Sequence, residues 1–116
     1  MSEKSAATLL TLEVDLAGSP TVVRCRGRLV VGVNDVLYRR VSELIPGRER
    51  IVLDLTELTF MDSTGLGTLV RLYVSARSAG CSLELVNIGK RIRELLGVAH
   101  LLSVFTIIGE HNIRIP

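Results

Sequence analysis

The sequence predicts a single α/β domain whose mixed sheet opens with an antiparallel hairpin and continues through parallel β-α-β units, with helices covering the sheet. Three observations lead there. Two N-terminal segments alternate apolar and polar residues with the period of two that marks half-buried strands. Downstream, short apolar runs alternate with amphipathic stretches of helical period. The chain has 116 residues, enough for one domain with a core of its own.

The first alternating segment, LLTLEVDL, places Leu10, Leu12, Val14 and Leu16 on one face and Thr11, Glu13 and Asp15 on the other. Ala17-Gly18-Ser19-Pro20 is a turn signal. TVVRCRGRL then points Val23, Cys25, Gly27 and Leu29 inward and Arg24, Arg26 and Arg28 outward. Paired as a hairpin, the two strands set acidic side chains against basic ones on the solvated face, which accounts for the arginine stripe. Leu37, Val41, Leu44 and Ile45 recur at helical spacing, so a helix is expected from Asn34 to Ile45, capped by Asn34 or Asp35 and ended by Pro46-Gly47. IVLDL, Ile51 to Leu55, reads as a short, nearly continuous apolar strand. In the second helix Leu66, Leu69, Val70, Tyr73 and Val74 form the apolar stripe, and Ala79-Gly80 closes it. A strand over Ser82 to Asn87, a helix over Lys90 to Leu96 stopped at Gly97, and a strand over Val104 to Ile108 complete the order β-β-α-β-α-β-α-β. The domain is expected to span residues 9–108, between a flexible N-terminal segment, 1–8, and a short tail, 109–116.

Parallel strands send every strand-to-helix loop to one end of the sheet, where open α/β sheets place their sites. Three loops should therefore share a rim: Val31 to Asn34, Phe60 to Gly65 and Asn87 to Arg91.

Composition removes several classes of function. Apolar residues make up 47% of the chain, yet no apolar run is long enough to span a bilayer, and the N-terminus lacks the pattern of a secretory leader, so a cytoplasmic protein without membrane insertion is expected. Cys25, Cys81, His100 and His111 have no metal-binding spacing, and neither a metal nor a cofactor is expected. A net charge of +2 and 3% aromatic residues argue against direct nucleic-acid binding.

The middle rim loop, FMDSTGLG from Phe60 to Gly67, carries the polar residues that need explaining. A nucleophilic serine would sit in G-x-S-x-G, which Asp62-Ser63-Thr64 does not supply. Aspartic-protease chemistry needs two carboxylates sharing a proton, and Asp62-Ser63-Thr64-Gly65 has one residue too many for that core. A phosphate-binding loop would follow its last glycine with lysine, whereas Gly67 is followed by Thr68. Asp62 or Ser63 can cap the second helix. Capping leaves Gly65 and Gly67 unexplained, because each costs about 1 kcal/mol against alanine in a helix. Glycines there imply a neighbouring element or a partner close to the backbone.

IVLDLTELTFMDSTGLGTLVRLYVSAR resembles the signature of STAS domains, specifically bacterial anti-sigma factor antagonists, and the likeness extends to Gly27-Arg28-Leu29 and to RIRELLGVAHLLSVFTI. The resemblance implies a non-enzymatic transcription regulator that works by partner switching. The unphosphorylated protein binds an anti-sigma factor that is also a serine kinase and frees a sigma factor; phosphorylation separates the pair, and a phosphatase resets it. On this sequence the phosphoacceptor is Ser63, and Asp62, Ser63, Thr64, Gly65, Leu66 and Gly67 form the partner-binding surface. Stand-alone members also serve as accessory subunits of lipid-transport ATPases, the alternative reading. Many antagonists end the second strand in Gly-Glu-Leu-Asp, where this chain has Gly27-Arg28-Leu29-Val30. The family's C-terminal helix is expected to be missing or much shortened, with only Gly109 to Pro116 after the last strand, which would favour a homodimer. Lys90, Arg91 and Arg93 at the third rim loop leave two readings open, an acidic partner or a solvated helix face.

Overall fold

The computed structural model describes residues 9–98 and 106–108. The expected terminal segments, 1–8 and 109–116, and the start of the last strand at Val104 and Phe105 lie outside these residues, as do His100 and His111. Five strands form one sheet: β1 Leu10–Asp15, β2 Thr21–Leu29, β3 Arg50–Met61, β4 Ser82–Val86 and β5 Thr106–Ile108, ordered β1-β2-β3-β4-β5. Three helices connect them: α1 Asn34–Leu44, α2 Ser63–Ser78 and α3 Gly89–Val98. β1 runs antiparallel to β2, and β2 through β5 are parallel. Because these parallel strands are laid down in sequential order, right-handed crossovers bring all three helices to the same face.

The hairpin forms as its alternation predicts. Glu13 stands opposite Arg24, and Val14 opposite Val23. Leu16, expected on the core face, lies past the end of β1 and is exposed, because the pairing stops at Asp15 opposite Val22. The solvated face groups Thr11, Glu13, Arg24, Arg26, Asp54 and Glu57. Arg24 there sits between Glu13 and Asp54 on the neighbouring strands, so acidic and basic rows alternate across the sheet. On β4 the side chain of Glu84 is only 2% exposed and takes two bonds from Arg50, at 2.7 and 2.9 Å, and a third from Ser82. A buried carboxylate needs such saturation, since desolvating it alone costs several kcal/mol.

β3 is longer than the IVLDL run suggests. It continues through Thr56-Glu57-Leu58-Thr59-Phe60 to Met61. Two register shifts against β2, between Arg24 and Arg26 and between Gly27 and Arg28, each add one residue to β3. Such bulges break the alternation that would advertise a strand. Asp54 accepts a bond from the backbone N–H of Thr56 at 3.0 Å at the first, and Thr59 Oγ1 donates to the Gly27 carbonyl at 3.0 Å near the second. The extension carries β3 up to the rim.

The core lies between the sheet and the helices, with Val23, Ile51, Leu53 and Leu85 from strands facing Leu37, Val41, Leu69, Leu72 and Leu96 from helices. Two helix expectations need correction. No side chain caps α1: Val33 is its N-cap, and the Val30 carbonyl accepts the N–H groups of Val33 and Asn34 instead. Gly97 does not end α3, which runs on to Val98. The stripe on α2 is also rotated. It buries Gly65, Thr68, Leu69, Leu72 and Ala76, while Leu66, Val70 and Tyr73 are half-buried and Val74 is exposed.

Candidate functional site

The three rim loops meet, and Asp62 is the residue that joins the first two. It is the N-cap of α2, in extended conformation at φ −99°, and its two carboxylate oxygens take separate tasks. Oδ1 accepts the Gly65 N–H at 2.9 Å, satisfying an orphan donor of the helix start. Oδ2 accepts the N–H of Val31, in the loop after β2, at 3.0 Å. These bonds, first that from Val31 and then that from Gly65, hold the Asp62 carboxyl below the usual carboxylate range. Between the loops, the Leu29 carbonyl accepts the Asp62 N–H at 3.3 Å. Asn34, the first residue of α1, donates to Thr68 Oγ1 at 3.2 Å, and Thr68 donates to the Thr64 carbonyl at 3.0 Å. The third loop joins through Asn87, whose side-chain N–H donates to Thr56 Oγ1 at 2.9 Å, and through Arg91, whose guanidinium lies 5.4 Å from the centre of the Phe60 ring.

Within this frame Ser63 is the first residue of α2 and is exposed. Thr64 and Leu66 are half-buried beside it. The two glycines have different environments. A Cβ on Gly65 would stand 2.3 Å from the Leu29 carbonyl oxygen, so this buried glycine lets α2 start against the end of β2. A Cβ on Gly67 would meet nothing within 4 Å, so its backbone faces open space next to Ser63. Of the two causes the sequence left open, a neighbouring element explains Gly65; Gly67 is open to approach from outside.

Val30 sits half-buried at the exit of β2, where it engages α1 through its carbonyl and brings no carboxylate to the rim. The acid next to Ser63 in the chain, Asp62, has both carboxylate oxygens engaged with backbone N–H groups, of the loop after β2 and of the helix start. Ser63 itself is exposed. Cys25 and Cys81 are buried and free, and burial, with a smaller contribution from Asp54, pushes the Cys25 thiol up to about 12. Among the described residues no three His, Cys, Asp or Glu side chains gather as a metal site, and no helix is long and apolar enough to cross a membrane.

Sequence reasoning did not find two features. Val31 is 69% exposed and so puts an apolar side chain on the rim, while its N–H anchors Asp62. Arg28 also reaches the rim, with its guanidinium 5.7 Å from the centre of the Phe60 ring. The arginine stripe of β2 contained the signal, but only the bulged register of β3 brings Phe60 opposite Arg28.

Comparison with known proteins agrees with this geometry. The family model described as STAS domain matches residues 11–112. The anti-sigma F factor antagonist of Paenibacillus polymyxa is 29% identical over 100 residues, covering 84% of this chain and 86% of that protein. The anti-sigma-B factor antagonist of Listeria monocytogenes is 36% identical over 79 residues, covering 64% of this chain and 69% of that protein. The structure of the anti-sigma factor antagonist SpoIIAA in its unphosphorylated form superposes with a TM-score of 0.72 at 18% identity, covering 87% of this chain and 90% of that one. Sheet order, rim and sequence match together place the chain in one family: it belongs to the STAS domain proteins.

Proposed function

We propose that this protein is an anti-sigma factor antagonist. In its unphosphorylated form it binds a serine-kinase anti-sigma factor through Asp62, Ser63, Thr64, Gly65, Leu66 and Gly67, and so releases a sigma factor. It acts in the cytoplasm, by binding rather than by catalysis. The observation that carries the reading is the exposed Ser63 on the first turn of a rigidly capped helix, beside the open backbone of Gly67. Gly65 belongs to the surface indirectly, by setting where α2 begins.

The kinase transfers a phosphoryl group to Ser63 Oγ and switches binding off. Phosphoserine carries about −1.5 to −2 charges at pH 7. A helix N-terminus tolerates such an anion, so the domain keeps its fold. A partner packed over that spot must desolvate the dianion. A penalty of about 3 kcal/mol would weaken binding more than 100-fold, since each ~1.4 kcal/mol is tenfold. A phosphatase restores the binding form.

Ser63→Asp is expected to abolish kinase binding with the melting temperature retained, and Ser63→Ala to bind constitutively. Titration calorimetry against the purified kinase measures both. A folded Ser63→Asp protein that binds like the wild type would sink the reading.

One observation favours a second reading. Val30, at the end of β2 where many antagonists carry an aspartate, supplies no carboxylate to orient the Ser63 hydroxyl for phosphoryl transfer. An accessory subunit of a lipid-transport ATPase would need the same rim as an assembly surface and no phosphorylation. Co-purification with such an ATPase, unaffected by Ser63→Asp, would select it.

A further inference from the structure

We propose that the groove beside Phe60 docks an acidic segment of the partner protein, held by the guanidinium of Arg91 in its lining and that of Arg28 at the same ring. The ring of Phe60 lies at the top of β3, with Arg28 at 5.7 Å and Arg91 at 5.4 Å from its centre. Arg28 arrives from the end of β2 and Arg91 from the first turn of α3, so two separate elements bring like charges to one ring. Both side chains are exposed. The ion pairs among the described residues are Arg26–Glu57, Arg40–Glu43 and Arg50–Glu84, and neither Arg28 nor Arg91 joins them. Each guanidinium keeps a fork of N–H donors suited to a carboxylate.

The groove itself is lined by Phe60, Met61, Arg91, Glu94 and Leu95. Its apolar part fits a side chain, while Arg91 in the lining and Arg28 at the same ring, outside the lining, fit the acids around that side chain. The first turn of α3 holds no acidic residue, and the exposed Lys90 beside Arg91 adds to the positive field. Glu94 is the one described acid in the lining, and no ion pair ties it to Arg91.

The chemistry favours a protein segment. A single ring with net charge +2 offers neither the stacking platform nor the charge density that nucleic acids require. The large exposed apolar residues, Leu16, Val31, Val36 and Val74, do not line the groove, so a lipid surface would find nothing to insert there.

The position gives the groove a part in regulation, which rests on the Ser63 reading. Ser63 follows Phe60 by three residues, so their Cα atoms are within about 11 Å, comparable to the Debye length at physiological salt. A phosphate on Ser63 would compete for the same guanidinium groups. Phosphorylation would then weaken docking by neutralising the clamp as well as by adding a charge to be desolvated.

The test titrates a fluorescent peptide of alternating glutamate and leucine into wild-type protein, Ser63→Asp and the double variant Arg28→Gln/Arg91→Gln, with a lysine–leucine peptide as control. Binding of the acidic peptide that weakens with salt, and about tenfold in the double variant at unchanged melting temperature, supports the clamp. No preference over the lysine peptide, equal affinity in the double variant, or preferential capture of an oligonucleotide or anionic vesicle overturns it. The same variants against the kinase separate the two claims. Full kinase binding by the double variant removes the clamp and leaves the Ser63 reading intact. Acidic-peptide binding that needs both arginines, in a protein the kinase ignores, removes the Ser63 reading and keeps the clamp.

Discussion

Gly65→Ala and Gly67→Ala place the same methyl group two residues apart on one helix, and the structure predicts opposite signs. On Gly65 the new Cβ would lie 2.3 Å from the Leu29 carbonyl oxygen, 2.7 Å from Met61 Cγ and 2.9 Å from Leu29 Cγ. Relaxed carbon–oxygen contacts begin near 3.3 Å, so the helix start must retreat by about 1 Å. The obstructing carbonyl also accepts the Asp62 N–H and belongs to the strand backbone, so it cannot turn aside as a side chain would. Overpacking of this kind costs about 1–3 kcal/mol, and the upper end applies. Alanine's better helix propensity returns about 1 kcal/mol, leaving a net loss of about 2 kcal/mol. Gly67 has open space, so there the propensity gain stands alone, about 0.5–1 kcal/mol of added stability. In urea unfolding, Gly65→Ala should lower the midpoint by about 1 M, while Gly67→Ala should raise it slightly at the same slope. Gly65→Ala as stable as its parent would refute the claim that α2 starts in contact with β2. So would a pair of variants shifting in the same direction.

Asp62→Ala removes the cap of α2 and leaves the Val31 N–H without its acceptor, and should lower the melting temperature by about 5 °C in a thermal scan. Because the Asp62 carboxyl titrates below its ordinary value of 3.8, its stabilisation is present above that pH and lost as pH falls through the depressed value. The gap between wild type and Asp62→Ala should therefore persist at pH 5 and close only in stronger acid. A gap that closed near neutrality would contradict the bonding scheme. Cys25, with its thiol pushed up to about 12, should resist thiol reagents at pH 8 in the native protein and react once urea unfolds it. Its contribution to stability is complete below the ordinary 9.0 and fades as pH rises toward about 12, which alkaline unfolding curves of wild type and Cys25→Ala will show.

Much of this fold was legible in the sequence because its signals were local. Glu13 opposite Arg24 is what period-two alternation in both arms of a hairpin dictates, and the parallel order follows from alternating strand and helix patterns. The rest depended on interactions between distant residues. The second half of β3 was hidden by two bulges, which put Thr56, Glu57 and Thr59 where alternation would not. On α2 apolar residues surround the axis, so hydrophobicity alone chose Val70 and Val74. The tight approach to Leu29 at the end of β2 selected Gly65 for the inner face, which Thr68 and Ala76 share.

The candidate site divides in the same way. Asp62, Ser63 and the glycines stood out as a motif, and an Asp cap on α2 was one of two options the residues allowed. That Asp62 would also hold Val31, and that Arg28 and Arg91 would share Phe60, required the register of three strands and could not be read along the chain.

Affinity capture from extracts of the source cell, with wild-type and Ser63→Asp protein as paired baits and bound proteins identified by mass spectrometry, tests the central claim most directly. The account predicts that a serine-kinase anti-sigma factor is retained by the wild type and absent from the aspartate variant. A transport ATPase retained equally by both would contradict it and leave Ser63 as no more than the first residue of an assembly helix.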